Sequence, residues 1–212
     1  MRTVDSGVLR EAIIATARQM NALAINRGKA GNVSARAEAG FLITASALDY
    51  DEMLPDDVVF VRSDGVPTGG RKPSTEWRFH RDIYSARAEV TAIVHTHAPF
   101  ATTLACLKRG IPAFHYMIAV AGGADIRCAP YATFGTQQLS DAAVAALDGR
   151  KACLLAHHGM IAVGDSLQAA LALAVEVETL AEMYWRALQI AEPTVLAADE
   201  MARVLEKFSH YK

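Results

Sequence analysis

The sequence predicts an α/β fold, with helices packed on a central sheet in one domain spanning residues 1–212. Short apolar runs closed by Gly, Asn or Asp alternate with longer stretches whose apolar residues recur every three to four positions. No internal repeat, low-complexity tract or linker divides the chain. A composition 52% hydrophobic and 21% charged over 212 residues is ordinary for a globular protein and can bury a substantial core.

The elements follow in order. From Ser6 to about Asn26, Leu9, Ile13, Ala17, Met20 and Ala24 recur at helical spacing, with Gly28 as the stop. "GNVSARAEAGFLIT" reads as two short strands joined by a turn around Glu38 to Gly40, and "DDVVFVRSDG" as a third strand ending at Asp64-Gly65. "KPSTEWRFHRDIYSAR" opens a helix, with Ser74 or Thr75 as N-cap after Pro73. "VTAIVHTH" is a buried strand, and "PFATTLACLKRG" is the helix after it, closed by Gly110. Strands are expected at 113–117 and 125–130, and a helix at 136–147. "KACLLAH" and "GMIAVG" are two strands flanking a turn at His158-Gly159. "SLQAALALAVEVETLAEMYWRALQI" is a long amphipathic helix, and a last helix covers 197–208.

Bulk properties exclude several classes of function. The net charge is −2 with no basic block, which gives nucleic acid no electrostatic handle. Cys106, Cys128 and Cys153 are odd in number and widely spaced, neither a zinc-knuckle pattern nor a disulfide framework. "MRTVDSGVLREAII" carries acidic residues and lacks the apolar core of a signal peptide. No run approaches the roughly 18 apolar residues of a membrane span. The expected setting is the reducing cytoplasm, away from membranes.

"IVHTHAP" is the informative stretch. Strand residues two apart share a face about 6.6–7 Å from one another. Two imidazoles so placed, His95 and His97, can converge on one ion with Zn–N bonds of about 2.0–2.1 Å. They can equally be core histidines bonded to backbone. "LLAHHGMIA" ends a second apolar strand with His157 and His158; adjacent strand residues face opposite ways, so at most one reaches the same ion. Three imidazoles with an open position is the catalytic zinc arrangement, since structural zinc is usually closed and four-coordinate. Pro73, Ser74 and Thr75 form a helix entrance, where free N–H groups and the macrodipole favour an anion such as phosphate. Glu76, in the first turn, is either a dipole-complementing carboxylate or a general base. "GNVS" at 31–34 is either a second small polar loop able to approach an oxyanion or a common turn.

Taken together and in this order, "GNVS", "LIT", "KPSTEWRFH", "VHTH", "IPAFHYMIAVAGG", "CAPYATFGT" and "LLAHHGMIA" resemble the class II aldolase/adducin family over nearly the whole chain. The resemblance implies a three-layer α/β/α sandwich with a central mixed, largely antiparallel sheet. It also implies a C4 homotetramer with active sites between subunits, one Zn2+ per subunit, and a small phosphorylated sugar as substrate. The implied reaction is reversible cleavage of a ketose 1-phosphate to dihydroxyacetone phosphate and a small aldehyde. L-fuculose 1-phosphate and 5-deoxy- or 5-methylthiopentulose 1-phosphates are the candidate substrates.

Carried over by position, the zinc ligands are His95, His97 and His158, with Glu76 able to take or leave a fourth place. Gly31, Asn32, Ser46, Ala47, Ser74 and Thr75 fall on the family's phosphate-binding loops. Tyr116 matches a tyrosine that donates a proton across the subunit interface, and Tyr211 a C-terminal aromatic that covers the site. Two positions depart from the pattern, since the family typically has glycine at Ala47 and a second serine at Thr75. A pentulose-phosphate epimerase or a methylthioribulose-1-phosphate dehydratase shares the histidine scaffold, but "HYMIAVAGG" and "CAPYATFGT" favour the aldolases. A non-catalytic adducin-like interaction module has no need of the three histidines, Glu76 and Tyr116. A zinc hydrolase leaves the phosphate loops without a role.

Overall fold

In the computed structural model, which describes residues 6–210, the segment Ala-Ile-Val-His-Thr becomes the middle strand of a nine-stranded sheet. In chain order the strands are β1 (Asn32–Ala37), β2 (Gly40–Ile43), β3 (Val59–Arg62), β4 (Pro67–Thr68), β5 (Ala92–Thr96), β6 (Ile111–Pro112), β7 (Asp125–Ala129), β8 (Ala152–Leu155) and β9 (Gly159–Gly164). They lie side by side as β4-β3-β2-β1-β5-β9-β8-β7-β6. Only β7 and β8 run parallel, so the sheet is mixed and largely antiparallel.

Among the described residues, six α-helices complete the layers: α1 (Gly7–Ala22), α2 (Trp77–Ala86), α3 (Pro99–Cys106), α4 (Gln137–Ala146), α5 (Leu167–Leu188) and α6 (Ala198–His210). α1, α3 and α5 pack together against β1, β5, β8 and β9, while α2 and α4 pack on one another over β2, β7 and β8. α5 buries Ala170, Leu173, Ala174, Val177, Leu180, Ala181 and Tyr184, a stripe at helical spacing over the middle of the sheet. Ser6, Thr136 and Ser166 cap α1, α4 and α5 by accepting from the N–H three residues on, each bond contributing about 1 kcal/mol.

Several boundaries differ from the sequence expectation. α1 ends at Ala22, before Gly28, because Ala24 already turns left-handed with φ 58°. α3 stops at Cys106 rather than at Gly110, again with a left-handed residue, Lys108, two positions on. Neither Ser74 nor Thr75 caps α2; Glu76 holds that place, and the Ser74 hydroxyl accepts from the Glu76 N–H instead. No strand covers 113–117. β6 is two residues long, and Tyr116–Ala121 forms a 3-10 helix in which the His115 side chain accepts from the Met117 N–H. The β-rich run "YMIAV" is bent into that helix between His115 and the left-handed Gly122, so tertiary packing overrides its strand propensity. The β8–β9 turn lies at 156–158, one residue earlier than expected.

Candidate metal centre

The register around β5 assembles the site. His95 pairs with Asn32 of β1 on one side and Ile161 of β9 on the other. The His95 Nδ1–H donates to the Met160 carbonyl at 2.9 Å, which leaves the Nε2 lone pair for a ligand. His97 follows the end of the strand on the same side. The β8–β9 turn then delivers His158, because His157 adopts φ 56° and its own N–H is taken by the Ala105 carbonyl. The ring centroids of His95, His97 and His158 lie 4.9–5.1 Å apart, and one nitrogen from each falls within 4.8 Å of the others. His157 is outside the trio, exposed and edge-on to Tyr131.

Gly159 permits this approach. A Cβ there would stand 2.5 Å from the Thr96 carbonyl oxygen and 3.0 Å from the His97 ring.

Glu76 closes the group. Its Oε2 is 3.0 Å from His95 Nε2 and its Oε1 is 3.0 Å from His158 Nε2. Burial penalises the charge, but the flanking His95 and His158 outweigh it and hold the carboxyl far below the usual carboxylate range. Burial, with His95 and His158 close by, pushes His97 down to about 4, so its ring is neutral and able to bind a cation. Glu76 Oε1, His95 Nε2 and His97 Nε2 are buried without completing a hydrogen bond. Three lone-pair donors and a carboxylate oxygen in one small volume suit a divalent cation, which would satisfy all of them.

The loops assigned to phosphate by resemblance are drawn together beside it. Ala45 bridges Pro73, the Ser46 N–H donates to the Lys72 carbonyl at 2.9 Å, and the Ser74 N–H donates to Thr44 at 3.0 Å. Ala47 is exposed in the left-handed region at φ 59°, and Lys29 Nζ donates to its carbonyl at 2.9 Å. Thr75 lines a cavity of about 260 Å³ with Ala30, Glu76, His97 and His158, and Tyr131 and Phe134 stand at its edge. Gly31 and Asn32 are buried rather than in an open loop. A Cβ on Gly31 would stand 2.4 Å from the His95 carbonyl oxygen, and the Asn32 amide is bonded to Glu76 and His80. Tyr116 is exposed in a separate groove, stacked 6.5 Å from Phe208, and does not reach the cavity within its own chain. Tyr211 lies outside the described residues. His80, Tyr131 and Phe134 were not singled out from sequence, although His80, four residues after Glu76, shares its helical face.

An α/β/α sandwich carrying three convergent imidazoles and a carboxylate beside a polar cavity defines a metal-dependent enzyme of the class II aldolase type. The sequence profile of the Class II Aldolase and Adducin N-terminal domain matches residues 11–185. The 5-methylthioribulose-1-phosphate/5-deoxyribulose-1-phosphate aldolase of Rhodospirillum rubrum is 63% identical over 203 residues, covering 96% of this chain and 92% of its own. The L-fuculose phosphate aldolase of Escherichia coli K12 is 48% identical over 209 residues, covering 98% and 97%. A solved L-fuculose 1-phosphate aldolase superposes with a TM-score of 0.93 at 39% identity, over 96% and 97% of the two chains. The chain belongs to the class II aldolase and adducin family and is one of its aldolases.

Proposed function

We propose that the protein is a zinc-dependent aldolase that reversibly cleaves a 5-deoxy- or 5-methylthiopentulose 1-phosphate to dihydroxyacetone phosphate and a small aldehyde. The observation that carries the reading is the convergence of His95, His97, His158 and Glu76 beside a cavity that Thr75 also lines. The pentulose substrates are favoured because the relative named for them is 63% identical, against 48% for the one named for fuculose phosphate. L-fuculose 1-phosphate is the second reading, supported by that 48% identity over nearly the whole chain.

A zinc ion held by the three imidazoles would supply Lewis-acid stabilisation of the enediolate charge, and neutral ligands leave it full charge for that purpose. The remaining work falls to side chains. Glu76 exchanges the proton on the enediolate carbon. Tyr116, exposed in its own subunit, serves the aldehyde oxygen of a neighbour's site in a homotetramer. Each such proton transfer contributes roughly 10²–10⁴ in rate. The tied segments 46–47 and 74–75 grip the phosphate, remote from the broken bond, and hold the carbon chain in register, while the buried Gly31 and Asn32 act from behind the site.

A cleavage panel of L-fuculose, D-ribulose, 5-deoxyribulose and 5-methylthioribulose 1-phosphates, scored by kcat/KM, tests the proposal. The 5-deoxy or 5-methylthio substrate should lead, and chelation should abolish turnover. Full activity in metal-stripped enzyme, or no cleavage of any of the four, would overturn it. Hybrid oligomers of Tyr116→Phe and Glu76→Gln subunits should regain activity if sites are shared, and verified hybrids that stay inactive refute sharing.

A further inference from the structure

Glu76, His80 and Tyr84 occur four residues apart along the cap and body of α2 and therefore share one helical face. Opposite them stand Asn32 and Ser34, two residues apart on one face of β1. Four residues of helix rise about 6 Å and two residues of strand about 6.6–6.8 Å, so the two ladders keep step. Asn32 accordingly sits between Glu76 and His80, and Ser34 between His80 and Tyr84. All five side chains are buried.

The hydrogen bonds between them run one way. An ionised carboxylate only accepts, so Asn32 turns Nδ2 to Glu76 Oε2, at 2.9 Å. Its Oδ1 must then accept from His80 Nε2–H, 2.5 Å away. Burial, with His95 close by, pushes His80 down to about 3, so the ring is neutral and its Nδ1 is an acceptor. Ser34 Oγ, at 2.7 Å, donates to that nitrogen and accepts from the Tyr84 hydroxyl at 2.8 Å. Burial pushes Tyr84 up, so it keeps its proton.

We propose that His80 is a positioning residue for Glu76: the donor chain Tyr84, Ser34, His80, Asn32 anchors Oε2 to β1 and leaves Oε1 as the oxygen that carries the substrate proton. Oε1 is the carboxylate oxygen with no hydrogen-bond partner, and it faces His158 at the cavity. Apolar side chains at 34, 80 and 84 would fill the same space without desolvating four polar groups. The polar set gains its purpose from where its last N–H lands. The inference rests on the proposed role of Glu76 in proton exchange.

Two variants test it in the metal-loaded protein. His80→Phe keeps a flat ring and ends the chain. His80→Gln offers the same acceptor–donor pair through its amide. His80→Phe should lower kcat and the exchange of the dihydroxyacetone phosphate proton by about 10- to 100-fold, with zinc content and KM unchanged. His80→Gln should recover most of that loss. A His80→Phe enzyme with wild-type kcat, or a folded His80→Gln enzyme as impaired as His80→Phe, overturns the proposal. Should His80→Phe fail to fold, nitrogen-15 NMR of the wild-type histidines decides. A neutral His80 protonated on Nε2 at pH 6 supports the chain, whereas protonation on Nδ1 or on both nitrogens overturns it. An inactive wild type would overturn the reading of the site itself. An active wild type, dead Glu76→Gln and unimpaired His80→Phe would overturn only the donor chain.

Discussion

Replacing His80 with glutamine should remove a large part of the protein's sensitivity to acid. His80 is fully buried, stacked between Phe79 and Phe41, and held by Ser34 and Asn32. Two charged groups act on it through space, Glu76 favouring the imidazolium and His95 opposing it, but burial dominates and its pKa falls from 6.5 to about 3. The depressed value fixes the sign. The unfolded chain binds a proton near pH 6.5 that the native state refuses until about pH 3. Stability is therefore complete above 6.5 and is lost as pH falls toward the folded value. Between pH 7 and pH 5 this single group withdraws about 2 kcal/mol, from the ratio of the two proton-binding terms. Glutamine fills a similar volume, keeps both hydrogen bonds and cannot titrate. Urea unfolding of wild type and His80→Gln, both metal-stripped and at one protein concentration, isolates the group because all other titrations cancel in the difference. The wild-type advantage should shrink by about 2 kcal/mol from pH 7 to pH 5. A difference constant to within a few tenths of a kcal/mol over that range would show that the folded protein lets His80 protonate freely, and the reasoning would fail.

Three further outcomes are expected. Ala47→Gly relieves a left-handed alanine at φ 59°, so it should stabilise the protein by about 0.5–1 kcal/mol and raise Tm by a few degrees; a lower Tm refutes the strain. Gly159→Ala drives a methyl group to 2.5 Å from the Thr96 carbonyl and onto the His97 ring, and should cost about 1–3 kcal/mol and weaken metal retention on dialysis; wild-type retention and Tm would refute this. α3 has no cap of its own, and the Glu178 carboxylate accepts from Phe100 N–H and Ala101 N–H at 2.8 Å each. Glu178→Gln sets an amide NH2 against one of those donors and should cost about 1–3 kcal/mol in urea unfolding, and an unchanged midpoint would refute the cap.

The histidine cluster was legible in part because it rests on periodicity that survives folding. His95 and His97 share a strand face by counting, and the pair His157-His158 after a second apolar strand offers at most one further imidazole to the same point. The choice of His158 over His157 was not available from spacing. It depends on the left-handed φ of His157, a conformation the sequence does not mark because glycine is absent there. The segments proposed to hold phosphate stand out in the sequence only as small and polar, and their mutual contact is a bridge between Ala45 and Pro73, residues 28 positions apart, which no local pattern encodes. The strand expected at 113–117 does not form: its side chains favour strand, but the fate of the segment that begins at Tyr116 is decided by His115 and Gly122 at either end. "GNVS" is compatible by sequence both with a strand start and with a polar loop. The strand prevailed, and its asparagine and serine face inward where such residues are seldom found without a reason.

That inward face ties the fold to the chemistry. A carboxylate flanked by His95 and His158 is stabilised by them without a cation, and with one it would compete for a place in the coordination shell. Either way its rotation matters, because a carboxylate that swings about its last bond presents a different oxygen to substrate. α2 fixes only the Cα of Glu76, at a helix cap without a side-chain hydrogen bond of its own. The remaining torsions must be set from outside the helix. The available partner is Asn32, which β1 places directly opposite His95 by sheet register. His95 and the carboxylate anchor Asn32 are thus neighbours on paired strands, and any shift of β1 against β5 would move both. Under the proposed mechanism, a carboxylate anchored by the same strand register that sets His95 stays aligned with that imidazole. That constraint accounts for polar residues inside β1, where valine would otherwise serve.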